Sequence, residues 1–140
     1  MTGKLERTQF FAGRTGYTGE DGFELIVRSD DAEPVWRSLL DAGANAGALP
    51  CGLGARDVLR LEAGFPLHGH EIDEKTSPIE AGLQRFVRFD KEYVGSQVLL
   101  RQREQGSQKI LVGLTLPGRS APREGYAILD QGQEVGRITS

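Results

Sequence analysis

The protein has 140 residues, 38% of them hydrophobic and 26% charged, with a net charge of −3 at pH 7. This composition is typical of a folded chain rather than a disordered one, its dispersed Lys and Arg residues give no nucleic-acid footprint, and no apolar run has the roughly 20 residues of a membrane span. The single cysteine, Cys51, excludes an internal disulfide and a multi-cysteine zinc site, and we expect it to be a small buried residue.

Two strands on either side of a turn-rich loop are predicted first. Thr8–Gly13 is predicted as a short strand, and the alternation of FELIVR at residues 23–28 predicts a second strand with Glu24 on the face opposite Leu25. The segment between them, RTGYTGEDG at residues 14–22, is dense in turn formers. Its glycines are expected to permit positive φ angles or the close approach of a ligand. These are Gly16, Gly19 and Gly22.

Two helices are predicted next. Residues 30–42 carry apolar side chains at helical spacing, and Asp30 with Glu33 resembles a capping box. The second helix is predicted at residues 53–63, where Arg56 lies on a face different from the apolar stripe. That stripe consists of Ala55, Val58 and Leu59.

The rest of the chain changes from irregular and helical patterns to β-rich ones. Residues 64–78 are predicted as a long surface connection, residues 85–90 as strand-like, and residues 94–104 as a short helix. Three β-rich segments follow, with a candidate hairpin turn at Gln131 and Gly132. They are residues 109–117, 125–130 and 133–140.

This change of pattern predicts two domains, residues 1–105 and residues 106–140, with the boundary near residues 105–108. Three short strands bury little apolar surface, so we expect residues 106–140 to be a truncated domain.

Three motifs together resemble one family of enzymes. They are RTGYTGEDGFE at residues 14–24, GARDVLRLEAG at 54–64 and LHGHEIDEKTSP at 67–78. In this order and spacing they closely resemble the T-protein, or aminomethyltransferase, family of the glycine cleavage system. The resemblance implies an α+β fold: residues 1–105 as part of the folate-binding α/β region, and residues 106–140 as the start of a C-terminal β-barrel-like domain.

The resemblance also implies a reaction. Members of the family transfer a one-carbon unit from the aminomethyl-lipoyl group of H-protein to tetrahydrofolate and release ammonia. They are larger, three-domain enzymes, and their acid–base aspartate precedes the GYTGE motif. We therefore expect no catalytic residue within these 140 residues, inactivity of the chain alone, and weak or absent folate binding.

Glu24 is the first candidate for folate binding. A pterin presents a 2-amino group beside an N3–H, and a carboxylate accepts both hydrogen bonds as a bidentate pair. In the family, the glutamate that closes this motif contacts the folate, and Glu24 matches it. The alternative is an exposed strand residue without a ligand.

Arg56 and Tyr17 are the other candidates. The arginine of GARD is a folate-site residue in the family, and a guanidinium suits a carboxylate or carbonyl. The alternative is a helix surface whose ion pair joins Asp57 and Arg60. Tyr17 can stack on the pterin or donate through its hydroxyl, or it can pack the loop. Arg60 itself is expected to organise the helix rather than touch substrate.

His68 and His70 form an HxH pair near Glu71 and Asp73. A catalytic zinc site needs a further convincing ligand and supporting partners, so we expect loop histidines and no metal.

Two other functions remain open. One is a different folate-dependent demethylase, or an oxidase-associated domain, on the same scaffold. The other is a non-catalytic folate-binding or interaction module. The start of the chain shows no targeting segment, so we expect a cytoplasmic protein, or a mitochondrial matrix protein in a eukaryote, without membrane or nucleic-acid partners.

Overall fold

The computed structural model describes residues 2–5, 8–119 and 121–140. It divides into two compact units, residues 1–65 and Pro66–Ser140. Within the described residues, three α-helices and two small antiparallel sheets confirm the α+β class. The division lies earlier in the chain than the change near residues 105–108, which was inferred from sequence pattern and stays a prediction.

The first unit contains a three-stranded antiparallel sheet. Its strands are β1 (Thr2–Leu5), β2 (Thr8–Gly13) and β3 (Glu24–Val27), in that order across the sheet. Gly13 and Glu24 are opposite each other at the end of the β2–β3 ladder. Glu24 is exposed and Leu25 is half-buried, so the predicted alternation is confirmed. The register places Glu24 where the turn-rich loop joins the sheet.

Two helices complete the first unit. Helix α1 (Ala32–Gly43) follows a single 3₁₀ turn at Ser29–Asp31, and α2 (Leu53–Glu62) begins where predicted. The predicted capping box is wrong: no side chain caps α1 or the preceding turn. Glu33 instead accepts a hydrogen bond from Arg37 at 2.7 Å, because the two lie one helical turn apart on an exposed face.

The burial of the helices differs from the predicted pattern. On α1, Val35 is 5% exposed whereas Trp36 is 51% exposed. The predicted apolar stripe of α2 is also open, with Val58 55% exposed, and the buried residue of that helix is Arg60, at 1%. Burial of a guanidinium is tolerated here because its nitrogens find hydrogen-bond partners while its methylene stem packs.

The second unit is mostly irregular before it reaches a helix and a hairpin. Helix α3 (Ser96–Gln105) confirms the predicted short helix, and β4 (Ala127–Asp130) pairs with β5 (Gln133–Arg137). Gln131 and Gly132 have φ angles of 48° and 84°. Positive φ at both central residues is the geometry of a type I′ turn, so the predicted hairpin is confirmed. A 3₁₀ turn, Gln84–Phe86, precedes α3.

Two strand predictions in this unit are wrong. Residues 85–90 begin within the 3₁₀ turn and continue without a strand, and residues 109–117 are irregular. The Leu111 N–H donates to the Glu80 carbonyl at 2.8 Å. An apolar, β-branched run forms a strand only if a partner strand lies beside it.

The single cysteine lies in an irregular part of the first unit. Cys51 is exposed, so the prediction of a buried thiol is wrong; its Sγ lies 3.7 Å from the Leu49 carbonyl, in the irregular segment before α2. Among the described residues, no helix has the length and apolarity to cross a membrane.

Candidate functional site

The loop at residues 14–22 is closed by an ion pair. Arg14 donates to both carboxylate oxygens of Asp21, with Nε–Oδ1 at 2.8 Å and Nη2–Oδ2 at 2.7 Å. The paired guanidinium lowers the pKa of the Asp21 carboxyl and the carboxylate raises the pKa of Arg14. Both side chains are exposed, so the pair defines the shape of the loop more than it stabilises the fold.

Glu24 begins the strand that follows this loop. Its Oε2 accepts a hydrogen bond from the Thr15 hydroxyl at 2.6 Å, so the loop and the carboxylate are in direct contact. The side chain is also exposed. The strand position thus presents a carboxylate that is oriented by the protein and open to further donors.

Tyr17 lies between an aromatic ring and a guanidinium. Its ring is stacked with that of Phe65, with centroids 5.8 Å apart and planes at 25°. The Arg56 Cζ lies 4.5 Å from the Tyr17 centroid, within the range of a cation–π contact. Tyr17 is half-buried and Arg56 is exposed. The loop and α2 are therefore joined through the two residues that the sequence singled out.

Arg60 supports this cluster from within α2. Its Nε donates to Asp57 Oδ1 at 2.7 Å, and its Nη1 donates to the Phe65 carbonyl at 3.3 Å. Phe65 in turn carries the ring of Tyr17. These contacts fit the expectation that Arg60 organises the helix. Whether it touches substrate stays a prediction.

The structure thus brings Tyr17 and Arg56 into contact, and joins Glu24 to the same loop through Thr15. The alternative ion pair of the helix surface forms between Asp57 and Arg60. It leaves Arg56 outside that pair. The contact between Tyr17 and Phe65 also matches the loop-packing interpretation of Tyr17. Ligand roles for these three residues stay predictions.

Sequence reasoning missed Thr15 and Phe65. Thr15 lies within the motif at residues 14–24. Its hydroxyl, which can donate a hydrogen bond to a carboxylate, is the sequence feature that could have indicated its role. Phe65 follows α2 directly after Gly64, and no local pattern indicates that its ring reaches back to the loop. Such contacts depend on tertiary packing rather than on local sequence.

One glycine joins the loop to the end of α2. Gly19 has a φ of 79°, and a Cβ at this position would lie 2.8 Å from the Ala63 Cβ. Gly19 has the expected positive φ, whereas Gly16 and Gly22 do not. The close approach of a ligand at those two glycines stays a prediction. A Cβ at Gly16 would meet nothing closer than 3.9 Å, so only Gly19 is required by the backbone.

The two histidines of the second unit do not form a metal-binding cluster. His70 Nδ1 lies 3.1 Å from the Thr139 carbonyl and 3.5 Å from Glu124 Oε2. Across residues 2–5, 8–119 and 121–140, no three or more His, Cys, Asp or Glu side chains are grouped so as to hold a metal ion. The hydrogen bond to Thr139 gives His70 a structural partner within its own unit.

Comparison with known proteins places these features in a family. The GCVT N-terminal domain matches residues 1–91. The aminomethyltransferase of Halothermothrix orenii is 49% identical over 140 residues, a match that covers 99% of this chain and 39% of the relative. The aminomethyltransferase of Moorella thermoacetica is 55% identical over 128 residues, or 91% of this chain and 35% of the relative.

A solved structure agrees. The glycine cleavage system aminomethyltransferase T from Bartonella henselae superposes with a TM-score of 0.84 at 36% identity, covering 94% of this chain and 37% of that protein. The chain spans well under half the length of each of these proteins. The resemblance in its three motifs is confirmed, and the chain belongs to the glycine cleavage T-protein (aminomethyltransferase) family.

Proposed function

We propose that the chain forms one wall of the folate site of a glycine cleavage aminomethyltransferase. The proposed reaction joins the methylene carbon of an S-aminomethyl-dihydrolipoyl group on H-protein to tetrahydrofolate. The products are 5,10-methylenetetrahydrofolate, ammonia and the dihydrolipoyl group. One observation carries this proposal: the motif loop of a family member holds Tyr17 against Arg56 and Thr15 against Glu24.

Glu24 is proposed to bind the pterin through a bidentate pair of hydrogen bonds. Both its exposure and its chemistry fit the role, since a carboxylate is an acceptor that matches two adjacent N–H donors. The hydrogen bond from Thr15 engages Oε2, and a carboxylate oxygen has lone pairs for a second donor. The bidentate pair is therefore compatible with the contacts already present.

Arg56 is proposed to bind a carbonyl or carboxylate of the folate. Its Cζ lies over the Tyr17 ring at 4.5 Å, and a guanidinium carries five N–H donors that can bind such an acceptor. The contact with Tyr17 restricts the movement of the guanidinium. An exposed guanidinium held in this way has lost part of its freedom before the ligand arrives, which favours binding.

The residues of this chain are proposed to bind and orient folate rather than to perform acid–base chemistry. No catalytic residue is proposed among the 140. General acid–base help is typically worth about 10²- to 10⁴-fold in rate, so we propose that the 140-residue chain alone is inactive. Lipoylated H-protein is the proposed partner and the cytoplasm the proposed location. Residues 106–140 are proposed as the start of a β-barrel-like domain.

The test is a titration with 5-formyltetrahydrofolate, followed by NMR so that weak binding is measurable. Glu24→Gln keeps the shape of the side chain but replaces one acceptor with a donor, so we expect affinity to fall by about tenfold. Glu20→Gln is the matched control, because Glu20 is an exposed glutamate of the same loop. Equal affinity of the parent chain and a Glu24→Ala variant would reject Glu24 as the pterin-binding residue.

A further inference from the structure

We propose that Thr15 is a positioning residue that holds the carboxylate of Glu24 in the orientation needed for the pterin. The inference rests on the proposed function, because Thr15 would support a residue of the same proposed folate site. Thr15 does not itself contact the pterin in this proposal. It acts through its hydrogen bond to Glu24.

The geometry of the hydrogen bond supports this role. The Thr15 hydroxyl donates to Glu24 Oε2 at 2.6 Å, within the short range typical of a hydroxyl bound to an ionised carboxylate. The two residues are nine positions apart in sequence, yet the ladder that ends at Gly13 and Glu24 brings them together. The contact therefore exists because of the strand register.

Gly13 provides the space for this contact. A Cβ at Gly13 would lie 3.0 Å from Thr15 Oγ1 and 3.8 Å from the Phe11 ring. Gly13 lies opposite Glu24 in the ladder, and a side chain at Gly13 would press against the Thr15 hydroxyl. The absence of a side chain at Gly13 thus lets the Thr15 side chain reach across the end of the ladder.

Thr15 is suited to positioning by its own stereochemistry. A β-branched side chain has few χ1 rotamers, so the hydroxyl occupies few directions once the backbone is set. Glutamate has three rotatable bonds and, on an exposed strand, samples many orientations. The carboxylate is exposed, so water alone would not fix its plane. The hydrogen bond removes part of that freedom before the ligand binds, which favours a planar bidentate contact.

The test compares Thr15→Val with Thr15→Ser in the 140-residue chain. Valine keeps the branched shape without the donor, whereas serine keeps the donor. We expect NMR scalar couplings of Glu24 to show one dominant rotamer in the parent and in Thr15→Ser, and averaged rotamers in Thr15→Val. Thr18→Val is the matched control, because the Thr18 hydroxyl contacts the Glu20 N–H of the same loop rather than Glu24.

The second readout is affinity for 5-formyltetrahydrofolate in a double-mutant cycle. We expect Thr15→Val to weaken binding about fivefold in the parent and to have no effect in the Glu24→Ala background. An unchanged Glu24 rotamer, or an equal loss in both backgrounds, would overturn the positioning role. If Glu24→Ala leaves a measurable affinity unchanged, the proposed role of Glu24 as the pterin-binding residue fails instead. The rotamer measurement then still decides whether Thr15 orients the carboxylate.

Discussion

Two glycine-containing, charged loops of this chain use their polar side chains differently. In the loop at residues 14–22, side chains pair with other side chains: Arg14 with Asp21, and Thr15 with Glu24 of the following strand. In the loop at residues 67–78, carboxylates accept from nearby backbone N–H groups, and Asp73 also accepts from the Thr76 hydroxyl. Glu71 accepts from Leu67 at 2.9 Å and Asp73 from Lys75 at 2.9 Å. Ser77 and Glu80 cap each other's backbone N–H groups.

The difference bears on the proposal that the loop at residues 14–22 contributes to a ligand site. A carboxylate that satisfies local backbone donors forms a turn and has fewer lone pairs for anything else. The loop at residues 14–22 instead depends on contacts with β3 and α2, and it leaves a carboxylate and a guanidinium exposed. Its shape should therefore respond to changes in β3 and α2. Apart from the contact of His70 with Thr139, the loop at 67–78 should respond mainly to local changes.

The strongest test of that dependence is Arg60→Ala. The buried guanidinium donates to the carbonyl of Phe65, whose ring supports Tyr17. Removing it leaves a cavity and an unsatisfied carbonyl, and we expect the first unit to lose about 2 kcal/mol of unfolding free energy. Trp36 is the only tryptophan of the chain, so its fluorescence during urea denaturation reports on this unit.

Arg37→Ala is the control for that measurement. Arg37 is an exposed arginine on α1 paired with Glu33, and its removal should cost less than about 0.5 kcal/mol. Equal losses for the two variants would show that the buried guanidinium does not support the loop at residues 14–22. The claim that this loop depends on α2 would then be wrong.

Part of this arrangement could be predicted from sequence because it is local. The alternation around Glu24, the helix that contains Arg56 and the type I′ turn at Gln131 and Gly132 follow from periodicity and turn chemistry. Tyr17 and Arg56 were singled out by motif, and the structure places them in contact.

The remainder could not be predicted because it depends on what packs against each element. The apolar stripe of α2 gave no sign that Arg60 would be the buried residue of that helix. The apolar run at residues 109–117 has strand propensity, yet it forms no strand in the structure. Thr15 and Phe65 acquire their roles from residues distant in sequence, which single-sequence patterns do not report.

A smaller effect is expected from Gly19→Ala, which tests the contact between the loop and α2. Gly19 combines a φ of 79° with a Cβ position 2.8 Å from the Ala63 Cβ. Left-handed backbone costs an alanine about 1 kcal/mol, and the close contact adds to this, so we expect a total loss of about 1.5 kcal/mol in urea denaturation. Gly16→Ala, in the same loop without either constraint, should lose much less. Similar losses for both would mean that the loop is not tied to α2 at Gly19.

The smallest expected effect is a difference between the two loops in how salt changes the pKa of one carboxyl in each, Asp21 and Asp73. The pKa of Asp21 is lowered chiefly by its hydrogen bond to the Arg14 guanidinium, and that of Asp73 chiefly by the Thr76 hydroxyl. A carboxyl with a lowered pKa in the folded chain stabilises the fold at neutral pH. This contribution is lost as the pH falls below the ordinary aspartate value of about 3.9 and through the lowered one.

Salt should affect these two contributions unequally. An exposed ion pair is screened at high ionic strength, whereas a hydrogen bond from a neutral hydroxyl is screened much less. We therefore expect 1 M NaCl to raise the pKa of Asp21 towards its ordinary value, and to change that of Asp73 less, in a carboxyl-detected NMR titration. Arg14→Gln should reproduce the effect of salt on Asp21 and leave Asp73 unchanged. Equal salt responses of the two carboxyls would contradict this difference between the loops, because the ion pair with Arg14 should make Asp21 the more sensitive of the two.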